Sequence, residues 1–150
     1  MAGAGILKAE YDERELQEII DALGKASAPD LFAIADSAGD ELRRISVKAF
    51  ENEKDPVTGE KWAELKRPNE SGQILHGNPP QLRRSLIKEA YPDGSVIFGS
   101  NMVYARIHQE GGQAGRLQRS LIPARPYMGV PQDFDRRILN DPAVLKKLGL

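Results

Sequence analysis

Apolar residues return every three or four positions through one long stretch of the chain. Leu31, Ile34, Ala35, Ala38, Leu42, Ile45, Ala49 and Phe50 keep that spacing, and Asp36, Asp40, Arg43, Arg44 and Lys48 occupy the opposite side. The period is that of an α-helix, so an amphipathic helix is expected over about residues 30–51, opened by Pro29 and Asp30 and laid on a sheet by its apolar stripe. A shorter stripe of Leu16, Ile19, Ile20 and Leu23 predicts a helix over residues 13–23. Asp12 with Glu15 makes a capping-box pattern at its start, and Gly24 suits its exit. Ahead of it, Ile6, Lys8 and Glu10 alternate with Leu7, Ala9 and Tyr11, which predicts a short strand over residues 5–11.

The pattern breaks over residues 52–80. Asp55-Pro56, Thr58-Gly59, Pro68, Gly72, Gly77 and Pro79-Pro80 punctuate a polar stretch whose strong apolar anchors are Trp62 and Leu65, then Ile74 and Leu75. So long a loop is unusual inside one compact domain, so it is expected either to be disordered alone or to be held by another subunit. On that reading, deletion of residues 66–79 spares the fold. Pro56 sets a turn entry, Gly59 permits positive φ, and Trp62 either docks the turn on the chain's own core or seats it on a neighbour. Pro92-Asp93-Gly94 is a turn signal, and Ser95 to Gly99 after it reads as a strand, so residues 82–99 are expected to form a β-hairpin.

Met102 to Gln109 predicts a short helix that ends at Gly111-Gly112. A flexible stretch over residues 111–121 carries Arg116 and Arg119. Ile122 to Val130 is expected to run extended near a sheet edge, because Pro123 and Pro126 cannot donate to a ladder. Pro131 and Asp133 open a helix through Leu139, and Asn140-Asp141-Pro142 starts a last turn or two. The expected fold class is α+β: one domain over residues 1–150, with a small antiparallel sheet packed by a long amphipathic helix and shorter helices, and with long extended loops.

Composition narrows the chemistry. The 150 residues carry 21 basic and 22 acidic side chains, a formal net charge of -1, which argues against a dedicated duplex-binding domain. Arg83-Arg84 with Lys88, and Arg116 with Arg119, are local basic clusters, read as surface or subunit-interface arginines more readily than as phosphate contacts. No cysteine is present, which removes disulfides, thiolate metal sites and cysteine catalysis. No apolar run is long enough for a membrane span, and no signal-peptide pattern opens the chain. His76 and His108 stand without a second histidine at metal-binding spacing, and neither a phosphate-binding glycine loop nor a Gly-x-Ser-x-Gly elbow occurs. No catalytic residue, metal or cofactor is therefore expected.

Three ordered segments resemble a known family. The first is Phe50-Glu51 followed by Asp55-Pro56, Gly59, Trp62 and Leu65. The second is Val96-Ile97-Phe98-Gly99-Ser100-Asn101 followed by Tyr104-Ala105-Arg106-Ile107-His108-Gln109 and Gly111-Gly112. The third is Ile122-Pro123-Ala124-Arg125-Pro126-Tyr127-Met128-Gly129. In order and spacing they resemble the virion morphogenesis, or tail completion, proteins of Mu-like and related contractile-tailed phages and prophages, from about residue 12 to 141. The stretch Ile74-Leu75-His76-Gly77-Asn78-Pro79-Pro80 departs from the family's usual Lys-, Ser- and Thr-richer loop.

The resemblance implies a late-made, non-enzymatic protein that completes or terminates the tail, or joins tails to heads as a neck adaptor. It implies a ring, often a hexamer, whose interfaces are heterologous and close by rotation. The implied partners are further copies of the chain, a tail tube or sheath protein and a head-neck connector, with no membrane and no specific nucleic acid. The implied location is the virion tail or neck, after assembly in the host cytoplasm. Trp62, Tyr104, His108, Arg125 and Tyr127 are the matching positions, as assembly or folding residues rather than catalytic ones.

Overall fold

The computed structural model describes residues 29–67, 71–76 and 80–148. The strand expected over residues 5–11 and the helix over residues 13–23 lie outside them. Helix α1 spans Leu31–Asn52, within a residue of expectation. Asp30 caps it, its carboxylate accepting from the Ala33 N–H at 3.0 Å and so satisfying one of the free amides of the first turn. At the far end Glu53 takes a left-handed conformation (φ 53°, ψ 45°) and returns its N–H to the Ala49 carbonyl. That turn reverses the chain beneath the helix.

The burial of α1 departs from the simple stripe. Ala35, Ile45, Ala49 and Phe50 are buried, but Leu31 stays 43% exposed at the first turn. The small residues Ser37, Gly39 and Ser46 are buried as well. The reason is a hairpin that crosses the helix at Gly39, where a Cβ would come within 2.8 Å of Lys88 Cδ and 3.1 Å of Val96 Cγ2. Asp36 and Asp40, expected on the open side, instead hold the Lys88 ammonium at 2.8 and 2.7 Å.

The hairpin pairs strand β1 (Leu86–Ala90) with strand β2 (Val96–Ser100), antiparallel, with Leu86 opposite Ser100 and Ala90 opposite Val96. Gly94 (φ 88°) and Asp93, which accepts from the Ser95 N–H at 2.9 Å, shape its turn. The turn falls where Pro92-Asp93-Gly94 placed it. The hairpin starts later than expected: residues 81–84 form a helical turn, α2 (Gln81–Arg84), which buries Leu82. Leu86 and Lys88 face α1, while Ile87 and Ile97 are 55% and 60% exposed on the outer face.

Helix α3 (Ala105–Glu110) starts three residues later than the expected one. After it, residues 111–121 are not a structureless stretch. They form a second hairpin, β3 (Gly112–Ala114) against β4 (Ser120–Ile122), with a 3-10 turn over Arg116–Gln118 at the tip. The next segment, residues 123–131, carries no strand. It threads through the protein body instead of lining a sheet edge, and the Arg125 N–H donates to the His108 carbonyl at 2.8 Å. Helices α4 (Phe134–Leu139) and α5 (Pro142–Leu148) close the chain where the proline and asparagine signals placed them, and they pack on α1 with Ile138 and Val144 buried.

The core groups Ala49, Phe50, Trp62, Ile74, Leu82, Leu86, Ala105 and Tyr127. These residues come from α1, the loop after it, α2, β1, α3 and the segment at residue 127; Phe98 of β2 packs against them, and the β3–β4 arm supplies none. The long loop therefore contributes two core residues, Trp62 and Ile74. Residues 53–65 are held by their own chain, and a deletion of residues 66–79 would take Ile74 out of the core. The fold is α+β: one long helix, several short ones and small antiparallel pairs of strands.

Candidate functional site

The three family-like segments converge on Phe50, at the last buried turn of α1. The Trp62 ring meets Phe50 edge-on, with centroids 5.7 Å apart at 86°, and the Tyr127 ring lies 5.2 Å from Phe50 at 33°. Such pairs add to the area they bury. The polar ends of both rings are satisfied: Trp62 Nε1 donates to the Pro126 carbonyl at 2.7 Å, and the Tyr127 hydroxyl to the Ala105 carbonyl at 3.2 Å. Tyr127 is fully buried, and burial pushes its hydroxyl above the usual phenol range. Of the two readings of Trp62, the observed one is the turn docked on its own core.

Arg125 is 6% exposed, unusual for an arginine. Its guanidinium donates through Nε to the Ala63 carbonyl at 2.8 Å and through Nη2 to that of Glu64 at 3.0 Å. It thus stitches the third segment to the loop just after Trp62. Burial draws its pKa down from the ordinary value. Gln109 does the matching work from α3. Its amide donates to the Met128 carbonyl at 2.8 Å and accepts from the N–H groups of Tyr127 and Met128 at 3.0 and 3.1 Å, so one side chain stands in for a strand neighbour. Glu53 is a third tie, its carboxylate accepting from the Ile74 N–H at 2.6 Å. Neither Gln109 nor Glu53 was singled out in the sequence. Gln109 lies inside the second segment, and its place between His108 and the glycine pair was the available signal.

The turn at Asp55 is built locally. The Asp55 carboxylate accepts from the N–H groups of Val57 and Thr58 at 2.7 and 3.2 Å, Gly59 takes φ 75°, and an isolated bridge pairs Lys54 with Lys61. Pro56 and Val57 lie against Gly129, where a Cβ would collide with Val57. Gly111 ends α3 at φ 74°, with a Cβ position 2.7 Å from the Ala124 nitrogen, so a side chain there would push the third segment away. Gly112 also lies at positive φ (147°).

His108 packs edge-on to Tyr104 at 5.9 Å, and its Nδ1 is buried with no hydrogen-bond partner among the described residues. Burial, then the charge of Arg125, hold its imidazole below the ordinary histidine range, which favours the neutral ring. Tyr104 itself reaches out to Gln81 at 3.3 Å. Among the described residues no group of three or more His, Asp or Glu side chains is placed to hold a metal ion.

Most of the singled-out residues thus form one knot: Trp62, Ala105, His108, Gly111, Arg125, Pro126 and Tyr127, buttressed by the turn of Asp55, Pro56 and Gly59. Two stand apart. Gly99 lies on the outer face of β2 opposite Ile87, and a Cβ there would meet nothing within 4 Å. Pro123 lies at the knot's margin, lining a groove at the base of the β3–β4 arm with Ala63, Leu65, Leu121 and Ile122 and with the charged Glu64, Lys66 and Arg125. Apart from His108 Nδ1, the polar groups of Trp62, Gln109, Arg125 and Tyr127 are used up on the backbone of their own chain. Apolar side chains remain exposed outside it, with Val103 at 99%, Leu117 at 71% and Leu121 at 67%, besides Ile87 and Ile97.

Comparison with known proteins accords with the three segments. Protein G of Escherichia phage Mu, whose name assigns it provisionally to capsid assembly, is 30% identical over 142 residues, covering 86% of each chain. The Mu-like prophage FluMu G protein 2 of Haemophilus influenzae is 42% identical over 84 residues, covering 53% of this chain and 55% of its own. No solved structure matches. The profile of the phage virion morphogenesis family matches residues 11–146, and the chain belongs to that family, among the structural and assembly proteins of Mu-like phages.

Proposed function

We propose that the chain completes or terminates the phage tail and supports head–tail joining, acting without catalysis as a ring of copies at the tail end or neck. The observation that carries this reading is the split between satisfied and unsatisfied surface. In the knot, Trp62, Gln109, Arg125 and Tyr127 spend their polar groups inside one protomer. Two hairpins of two strands each are left with outer edges that have no sheet neighbour among the described residues, and with large apolar side chains exposed. A two-stranded hairpin is marginal alone, and unpaired edges with apolar faces are what strand-adding partners cover. Its partners on this reading are further copies, a tail tube or sheath protein and a head-neck connector.

Capsid assembly is the second reading, favoured by the name of the phage Mu relative. Electron microscopy of particles made without the protein separates the cases. Overlong or unfinished tails support termination, and finished but detached tails support a neck adaptor. Missing or malformed heads beside normal tails would replace the tail reading with the capsid one.

A further inference from the structure

The two hairpins differ in the charge they present. Residues 111–122 contain Arg116 and Arg119 and no acidic residue. Both arginines are exposed, and neither has an ion-pair partner among the described residues. Between them Leu117 projects at 71% exposure, and Leu121 follows on β4 at 67%. The tip is held unusually: Leu117 and Gln118, neither of them glycine, take consecutive left-handed conformations at φ 59° and 53°. Left-handed non-glycine residues are costly, and here the turn thrusts a leucine into solvent between two cations.

The outer face of β1–β2 is the counterpart. Ile87 and Ile97 are diagonal neighbours on it, because Ile87 is opposite Gly99 and Glu89 opposite Ile97. Gly99 leaves open space beside them. The charges of this hairpin are Lys88, Glu89 and Asp93, and Lys88 is turned inward onto Asp36 and Asp40. What faces out is an apolar patch with the Glu89 carboxylate beside Ile97, and the exposed Asp93, one of whose oxygens accepts from Ser95, follows in the turn. One hairpin is apolar and basic, the other apolar and acidic.

We propose that the β3–β4 arm of one copy docks on the outer face of the β1–β2 hairpin of the next copy. Leu117 and Leu121 meet Ile87 and Ile97 beside Gly99, and Arg116 and Arg119 approach Glu89 and Asp93. The two surfaces are different, so the contact is head-to-tail and is of the kind that closes into a ring by rotation. Complementary charge fixes its direction and disfavours arm-to-arm pairing. The inference supplies the interface for the ring read under the proposed function and rests on that reading for its closure.

The chain has no cysteine, so introduced thiols are the only ones present. The full chain carrying Leu117→Cys and Ile97→Cys, mildly oxidised at high protein concentration, is expected to give a stepwise ladder of disulfide-linked oligomers on a non-reducing gel. A control chain carrying Leu117→Cys and Val103→Cys is expected to give little. Adding Arg116→Glu and Arg119→Glu should lower the ladder about tenfold at low salt, the order expected when two exposed pairs turn from attraction to repulsion. Adding Glu89→Arg and Asp93→Arg to that chain should restore it.

A ladder no stronger than the control, or one indifferent to the charge changes, would overturn the contact. So would charge reversal in the arm that weakens binding to duplex DNA and leaves the ladder unchanged, since the arm would then serve nucleic acid. The ladder and the microscopy fail separately. A specific ladder beside normal tails in particles lacking the protein keeps the contact and removes the tail reading, and the opposite pair of results does the reverse.

Discussion

The knot around Phe50 and the two hairpins are built on opposite terms. In the knot the polar ends are paired, apart from the buried Nδ1 of His108: Trp62 on Pro126, Arg125 on Ala63 and Glu64, Gln109 on Tyr127 and Met128. On the hairpins, strand edges and apolar side chains such as Ile97 and Leu117 face outward. A buried group without a partner costs stability, so the knot is where substitutions should unfold the protein. Exposed apolar residues cost the monomer little, so the outward-facing positions of the hairpins, unlike the core residue Leu86, are where substitutions should spare the fold. The difference teaches that a family's motif residues can divide between two jobs: those in the knot fasten the fold, while Ile97 and Gly99 of the second segment lie on an open face.

The comparison breaks most visibly at Tyr127. Tyr127→Ala removes a fully buried ring against Phe50 and should cost about 3–5 kcal/mol of unfolding free energy, read from a denaturant titration. Tyr127→Phe, which loses the hydroxyl bond to Ala105, should cost about 1 kcal/mol. Next comes Arg125→Met, which keeps the stem and removes both donors. A loss of about 2 kcal/mol is expected by the same titration. If Arg125→Met left stability unchanged, the stitch between the third segment and the Trp62 loop would carry no weight in the fold.

A gentler probe is pH. Burial, then Arg125, depress the His108 pKa in the folded state below its ordinary 6.5. Well above pH 6.5 the ring is neutral in both states and this contribution vanishes. As pH falls below 6.5 the unfolded chain takes up a proton that the folded one resists, so stability declines until the folded pKa is passed. Unfolding midpoints compared at neutral and mildly acidic pH should show this decline, and His108→Gln should flatten it.

Sequence and structure agree where the determinants are local. Asp30 with the stripe ending at Phe50 marked α1, and Pro92-Asp93-Gly94 marked the first hairpin turn. Trp62, an apolar anchor with Leu65 in a polar stretch, is a core residue, and Leu65 packs against that core. What stayed hidden depends on partners distant in sequence. Asp36 and Asp40 look solvent-bound until Lys88 is known to lie over Gly39. Arg125 reads as a surface cation until two carbonyls more than sixty residues away are brought to it. The β3–β4 pair was missed because its strands are three residues long, too short for an alternating pattern to emerge from Gly112, Gln113 and Ala114.

The smallest expected change in stability belongs to the hairpin face, and it gives the most direct test. The double variant Ile87→Ser and Ile97→Ser should shift unfolding free energy by less than about 1 kcal/mol, because both side chains are more than half exposed. Supplied in trans to a phage lacking the gene, that variant should fail to restore infectious particles although it is folded and abundant. Full restoration of particle yield by the folded double variant would contradict the assignment of the hairpins to assembly.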